Sequence, residues 1–203
     1  MINIFARASL ARVTNPIGAA LVRFGLTPNG ITVAGALAAA TSALWFFPRG
    51  ELFVGTVVTA VFLLFDLLDG AMARVGGAVT RFGGVLDASC DRLVDGVLFG
   101  ALVWWALVVD DDRARGLGLL ICLVAAQVIS YVKARAEANG LQAGGGLAER
   151  AERFLIVLTG TGLHGLGVPY VLDLAIWLLV ALSLITIAQR LAAVHASSPD
   201  EHD

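Results

Sequence analysis

Six apolar stretches, at residues 31–47, 52–73, 82–109, 116–138, 147–163 and 170–194, take up most of this 203-residue chain. Each reaches or approaches the roughly 20 residues that a helix needs to cross the ~30 Å hydrocarbon core of a bilayer. Lipid offers no partner to a backbone N–H or C=O, so segments of this kind must satisfy their own hydrogen bonds as helices. Composition agrees: 58% of the residues are hydrophobic and 15% are charged, whereas soluble domains carry about 25% charged residues. The expected fold is an all-α integral membrane protein with six transmembrane helices and an N-terminal amphipathic interfacial helix.

Residues 1–25 read as the amphipathic juxtamembrane segment. Ile2, Phe5, Leu10 and Val13 fall near one helical face, with Asn3, Arg7 and Arg12 elsewhere, which suits a helix lying among lipid headgroups. The arginines also break up any continuous apolar run, so no cleavable signal peptide is expected. Residues 26–195 form the six-helix domain, opened by Thr27 as N-cap and Pro28 at the first helical position. The polar stretch 196–203 reads as a disordered tail.

Charge sets the orientation. With both termini on one side, that side holds Arg7, Arg12, Arg23, Arg74, Arg81, Arg92, Lys133, Arg135, Arg150, Arg153 and Arg190, and the other holds only Arg49, Arg113 and Arg115. The positive-inside rule makes the crowded side cytoplasmic and the host the cell membrane. Trp45, Trp104, Trp105 and Trp177 fit an aromatic belt near the outer interface. Cys90 and Cys122 lie in apolar segments without metal-ligand spacing and read as core residues. His164, His195 and His202 read as loop or tail residues. No nucleic-acid partner is expected.

Against this background one stretch stands out, Asp66-Leu-Leu-Asp69-Gly-Ala-Met-Ala-Arg74, continued by Gly83-Gly-Val-Leu-Asp87-Ala-Ser-Cys-Asp91. Asp66 and Asp69 are three apart and Asp87 and Asp91 four apart, so on helices each pair shares a face. Four carboxylates gathered in apolar surroundings require positive charge among them. Two divalent cations would supply it, and the all-oxygen donor set suits Mg²⁺ or Mn²⁺. Phosphate chemistry uses such a metal pair. A cation or lipid pathway is the alternative from another class, but transporters place polar residues near the midplane on interrupted helices, whereas these crowd one end beside arginines.

The order D-x2-D-G-x2-A-R-x8-G-x3-D-x3-D, matched at Asp66, Asp69, Gly70, Ala73, Arg74, Gly83, Asp87 and Asp91, resembles the signature of the CDP-alcohol phosphotransferases, membrane enzymes of phospholipid synthesis with six helices. The resemblance implies that a hydroxyl attacks the β-phosphoryl of CDP-diacylglycerol and CMP leaves. It implies two metals on Asp66, Asp69, Asp87 and Asp91, with Asp91 also the base. It places CDP-diacylglycerol against Asn29, Gly30, Ile31, Thr32, Asp66, Asp69, Gly70, Ala73, Arg74 and Thr80, and it implies a homodimer. Small residues at Gly35, Ala38, Gly96 and Gly100 permit close helix contact.

Cations at the cytoplasmic ends of three later segments, in Ser130-Tyr-Val-Lys133-Ala-Arg135-Ala-Glu137, Glu149-Arg150-Ala-Glu152-Arg153 and Gln189-Arg190, point to an acceptor that carries its own phosphate. Within the family this pattern resembles the bacterial phosphatidylinositol-phosphate synthases, whose acceptor is inositol 1-phosphate. Lys133, Arg135, Arg153 and Arg190 match the acceptor-phosphate site. Glycerol 3-phosphate, the acceptor of phosphatidylglycerophosphate synthases, is the alternative. Asp95 has no assigned role; it could orient the ligands of the acidic cluster, meet inositol hydroxyls, or serve helix packing.

Overall fold

The computed structural model describes residues 14–76 and 80–198. The segment expected to be amphipathic, residues 2–13, and the end of the tail, residues 199–203, lie outside the described residues. Residues 14–23 are helical (α1). Then follow α2 (Pro28–Phe46), α3 (Leu52–Leu63), α4 (Phe65–Gly76), α5 (Arg81–Trp104), α6 (Arg113–Ala138), α7 (Arg150–Gly165) and α8 (Val171–Ser197). The regular elements among the described residues are all helical.

Each of the six apolar stretches contains helix, the fifth only from Arg150 onward, but they are not alike. Among the described residues, four helices are long and apolar enough to cross a membrane: Pro28–Arg49, Arg81–Val109, Arg113–Ala138 and Val171–Ser197. The first includes a closing 3₁₀ turn, Phe47–Arg49, and the second a π turn, Trp105–Val109. The stretch 52–73, expected as one helix, is divided at Leu64, whose N–H is shared between the carbonyls of Ala60 at 3.3 Å and Val61 at 3.2 Å. The α7 helix has 16 residues, or about 24 Å at 1.5 Å per residue, short of a full crossing. The α8 helix continues to Ser197, two residues into the stretch expected as tail.

The chain divides into two compact units, one formed by residues up to Ala43 and from Val57 to Val94, the other by Leu44–Thr56 and Asp95 onwards. In the first unit α2 and α3 are joined by a buried hydroxyl pair, Ser42 Oγ to Thr59 Oγ1 at 2.8 Å. Each hydroxyl thereby keeps a polar partner in apolar surroundings, as burial demands. Ala71 and Met72 of α4 are fully buried, and Gly18 of α1 approaches their backbone closely enough that a Cβ would stand 3.0 Å from the Met72 nitrogen.

In the second unit α8 packs against both α6 and α7. Leu119, Cys122, Ile129, Val157, Leu172, Ile176 and Leu179 supply its core. The α6 helix opens on Asp112, whose carboxylate accepts from the N–H groups of Ala114 at 2.9 Å and Arg115 at 3.0 Å, the expected chemistry of an N-cap. Arg115 then forks onto both carboxylate oxygens of Asp173, at 2.7 and 2.9 Å, and also reaches Asp110. The Asp110–Asp112 turn, expected simply as a solvated one, therefore ties the start of α6 to the start of α8.

Trp45, Trp104 and Trp177 are exposed, as a belt requires, and Trp45 lies under the Arg49 guanidinium at 3.8 Å. Trp105 is buried instead, edge-on to His164. His164 belongs to the last turn of α7 and His195 to that of α8. Both cysteines are buried thiols.

Candidate active site

Two helix starts meet in the first unit. At α2, Thr27 Oγ1 accepts from the Gly30 N–H at 3.2 Å. At α5, Thr80 Oγ1 accepts from the Gly83 N–H at 2.9 Å. Each threonine satisfies one of the four N–H groups that a helix start leaves without an intrahelical partner. A helix start also carries partial positive charge, so two of them together favour an anion. Between them lies a cleft of about 280 Å³, lined by Pro28, Asn29, Thr32, Gly70, Ala73, Arg74, Thr80, Gly83, Gly84 and Asp87.

The glycines of the motif explain themselves here. A Cβ on Gly83 would come within 3.0 Å of Thr80 Oγ1 and 3.1 Å of the Asn29 side-chain oxygen, so glycine keeps these polar groups in place and the cleft open. A Cβ on Gly70 would touch the exposed Arg74 guanidinium at 3.4 Å, so that cation folds back along its own helix over the glycine. The cleft thus combines an exposed cation, two helix starts and side-chain hydroxyl and amide groups, a set suited to phosphate oxygens.

Of the residues expected around the nucleotide, Asn29, Thr32, Gly70, Ala73, Arg74 and Thr80 line this one cleft. Thr32 also donates to the Pro28 carbonyl at 3.1 Å, the ordinary bond of a helix hydroxyl. Gly30 and Ile31 belong to the same first turn of α2. Pro28 and Gly84 join the lining although no motif singled them out. Thr80 caps α5 as well as facing the cleft, a double role whose signal was its place three residues before Gly83.

The carboxylates divide between two helices. Asp66 and Asp69 belong to α4 and their side chains lie outside the described residues. Asp87 and Asp91 are half-buried on one face of α5, Asp87 in the cleft wall and Asp91 one turn further on, 3.9 Å from Arg92. Carboxylates such as Asp87 and Asp91 offer oxygen donors only, a chemistry that fits Mg²⁺ or Mn²⁺ and not a metal that selects nitrogen or sulfur.

In the second unit the basic residues separate into two kinds. Lys133 and Arg135 near the end of α6 are exposed, Lys133 within 3.9 Å of Glu137. Arg153 and Arg190 are buried and tightly held. Arg153 donates to the Ala148 carbonyl at 2.9 Å and to Asp95 at 3.4 Å. Arg190 donates to the carbonyls of Ile129 at 2.7 Å and Gly145 at 3.1 Å, with Glu149 3.9 Å away. Asp95 is fully buried and also accepts from Arg150 Nε at 3.3 Å. Among its possible roles, it is the counter-charge of the α7 arginines.

Comparison with known proteins converges on the same reading. Residues 25–188 match the CDP-alcohol phosphatidyltransferase family. The phosphatidylinositol phosphate synthase of Mycobacterium marinum is 52% identical over 195 residues, covering 95% of this chain and 83% of the relative. The crystal structure of Mycobacterium tuberculosis phosphatidylinositol phosphate synthase with CDP-DAG bound superposes with a TM-score of 0.89 at 50% identity, covering 95% of this chain and 98% of that one. The same enzyme in complex with manganese and citrate also gives a TM-score of 0.89 at 50% identity, covering 94% and 92%. An enzyme of lipid synthesis, and not a transporter, is what the motif, the cleft and the relatives share: the chain belongs to the CDP-alcohol phosphatidyltransferase family.

Proposed function

We propose that this protein transfers the phosphatidyl group of CDP-diacylglycerol to inositol 1-phosphate, giving phosphatidylinositol phosphate and CMP. The observation that carries the reading is the cleft in which two threonine-capped helix starts, Gly70 and Arg74 meet the carboxylate-bearing face of α5. In this reading the diphosphate lies against the starts of α2 and α5, where N–H groups and the positive ends of both helices offset its charge. Arg74 swings from above Gly70 to a phosphate oxygen, and Asn29, Thr32 and Thr80 offer hydrogen bonds to the nucleotide.

Asp66, Asp69, Asp87 and Asp91 would hold two divalent ions, Mg²⁺ or Mn²⁺. When bound, these neutralise the diphosphate and polarise the attacking hydroxyl. Asp91 takes the proton from that hydroxyl as its oxygen bonds to the β-phosphorus. The bond from that phosphorus to the bridging oxygen breaks, and CMP departs with the electron pair. The acceptor's own phosphate is held by Lys133, Arg135, Arg153 and Arg190. The buried guanidinium groups of Arg153 and Arg190 support an anionic acceptor, and the shared identity with the phosphatidylinositol phosphate synthases supports inositol 1-phosphate.

The setting we infer is the cell membrane, with six crossings, an interfacial N-terminal helix, both termini and the cleft on the cytoplasmic side, and a homodimer. Residues 1–25, 26–195 and 196–203 serve as anchor, catalytic domain and tail. Helices in all six apolar stretches support the count. The short α7 would be accommodated by local thinning of the bilayer.

Purified protein given CDP-diacylglycerol, Mg²⁺ and either inositol 1-phosphate or glycerol 3-phosphate should release CMP with the former, and Asp91→Asn should abolish release. Turnover with glycerol 3-phosphate alone would transfer the protein to the other acceptor class. Undiminished turnover in Asp91→Asn would remove the proposed base.

A further inference from the structure

The arginines assigned to the acceptor phosphate reach the glycine-rich connection between α6 and α7, Arg153 at Ala148 and Arg190 at Gly145. Residues 139–149 join α6 to α7, and Gly144, Gly145 and Gly146 carry no side chain. Thr186, fully buried on α8, grips this loop from outside. Its Oγ1 accepts from the N–H of Leu147 at 3.1 Å and of Ala148 at 3.0 Å, and donates to the Leu182 carbonyl at 2.8 Å. A hydroxyl has one donor and two acceptor sites, and all three are used.

The contact continues beyond the threonine. The Ala148 carbonyl, on the residue Thr186 grips, accepts from Arg153 Nη1 at 2.9 Å. One helical turn further along α8, Arg190 reaches the same loop at the Gly145 carbonyl, 3.1 Å away. Gly146 adopts φ +136°, and a Cβ there would stand 2.5 Å from Thr186 Cγ2. The loop backbone therefore rests on the threonine with no room for a side chain between them. A helix hydroxyl bonded only to its own backbone would be ordinary; this one also receives two N–H groups from a loop nearly forty residues away in sequence.

We propose that Thr186 is a positioning residue for acceptor binding. It fixes the Leu147 and Ala148 amides, the Ala148 carbonyl in turn fixes the Arg153 guanidinium, and with Arg190 it shapes the seat of the acceptor's phosphate. The inference rests on the reading of Arg153 and Arg190 as acceptor-phosphate residues. It concerns affinity for the acceptor and leaves the nucleotide cleft of the first unit untouched.

The test compares Thr186→Val, which keeps the shape and loses the oxygen, with Thr186→Ser, which keeps the oxygen. CMP release is measured against inositol 1-phosphate concentration at saturating CDP-diacylglycerol, and then with the two substrates exchanged. Thr186→Val should raise the acceptor KM on the order of tenfold, as loss of a partner that orients a binding group from behind does. The donor KM should stay near the wild-type value, and Thr186→Ser should return the acceptor KM toward it. If Thr186→Val does not fold, Gly146→Ala presses on the same contact and should produce the same split. Equal acceptor KM in wild type and variant, a rise in both KM values together, or no recovery with serine would overturn the proposal. Wild-type protein without turnover on either acceptor would overturn the functional reading itself, a result distinct from an active wild type with unaffected variants.

Discussion

Replacing Asp95 with alanine should destabilise the second unit strongly. Its carboxylate is fully buried, and two guanidinium groups face it, Arg150 at 3.3 Å and Arg153 at 3.4 Å. Removing one partner from a buried ion pair costs about 3–5 kcal/mol, because the remaining charge is left in a poor solvent. The Arg150 contact is one-fifth exposed on the arginine side and adds at most about 1 kcal/mol. Arg153 keeps the Ala148 carbonyl, and Arg150 keeps the Phe154 ring 4.9 Å away. The net loss should therefore sit near the low end, about 3 kcal/mol. For a chain of this size each kcal/mol lowers Tm by about 2–4 °C, which gives a fall of roughly 6–12 °C.

The assay is thermal unfolding in detergent, followed by tryptophan fluorescence at one fixed scan rate, since unfolding of such proteins is often irreversible. The double variant Asp95→Ala with Arg153→Met distinguishes charge from packing. Removing both charges should be less damaging than removing the carboxylate alone. A Tm for Asp95→Ala within about 2 °C of wild type would refute the reasoning. So would additive losses in the double variant, which would mean that the two groups do not interact.

Gly83→Ala should weaken donor binding, because its Cβ would stand 3.0 Å from Thr80 Oγ1 and 3.1 Å from the Asn29 oxygen; a rise in the CDP-diacylglycerol KM with little change in the acceptor KM is the expected signature. Chelation of divalent ions should stop CMP release and Mg²⁺ or Mn²⁺ should restore it, so turnover that survives exhaustive chelation would count against the carboxylate assignment. Asp112→Ala should cost about 1 kcal/mol through loss of the α6 cap, read as a fall of about 2–4 °C in Tm with CMP release preserved.

Much of this protein is legible in its one-dimensional pattern. Apolar stretches of membrane length leave helix as the accessible state, and each of the six contains helix. Thr27 and Pro28 marked the start of α2 because capping is a local reaction of a side chain with the next few amides. The acidic motif, read as spacing along helices, put Asp87 and Asp91 on one face of α5 for the same reason. These features depend on interactions within a few residues, and periodicity records them.

What spacing did not reveal are contacts between residues distant in the chain. Nothing near Asp95 marks it as the counter-charge of arginines more than fifty positions away. Arg153 and Arg190 looked like the exposed cations at helix ends, Lys133 and Arg135, yet packing buries the first pair and leaves the second in reach of solvent. The division of the 52–73 stretch at Leu64 follows no glycine or proline. Thr186 was one more hydroxyl in an apolar helix until the fold brought the glycine-rich loop onto it. Local chemistry settles which segments are helices and where many begin; burial and long-range pairing settle which of their polar groups become supports and which stay available to a substrate, because desolvation and partnership exist only once the helices have packed.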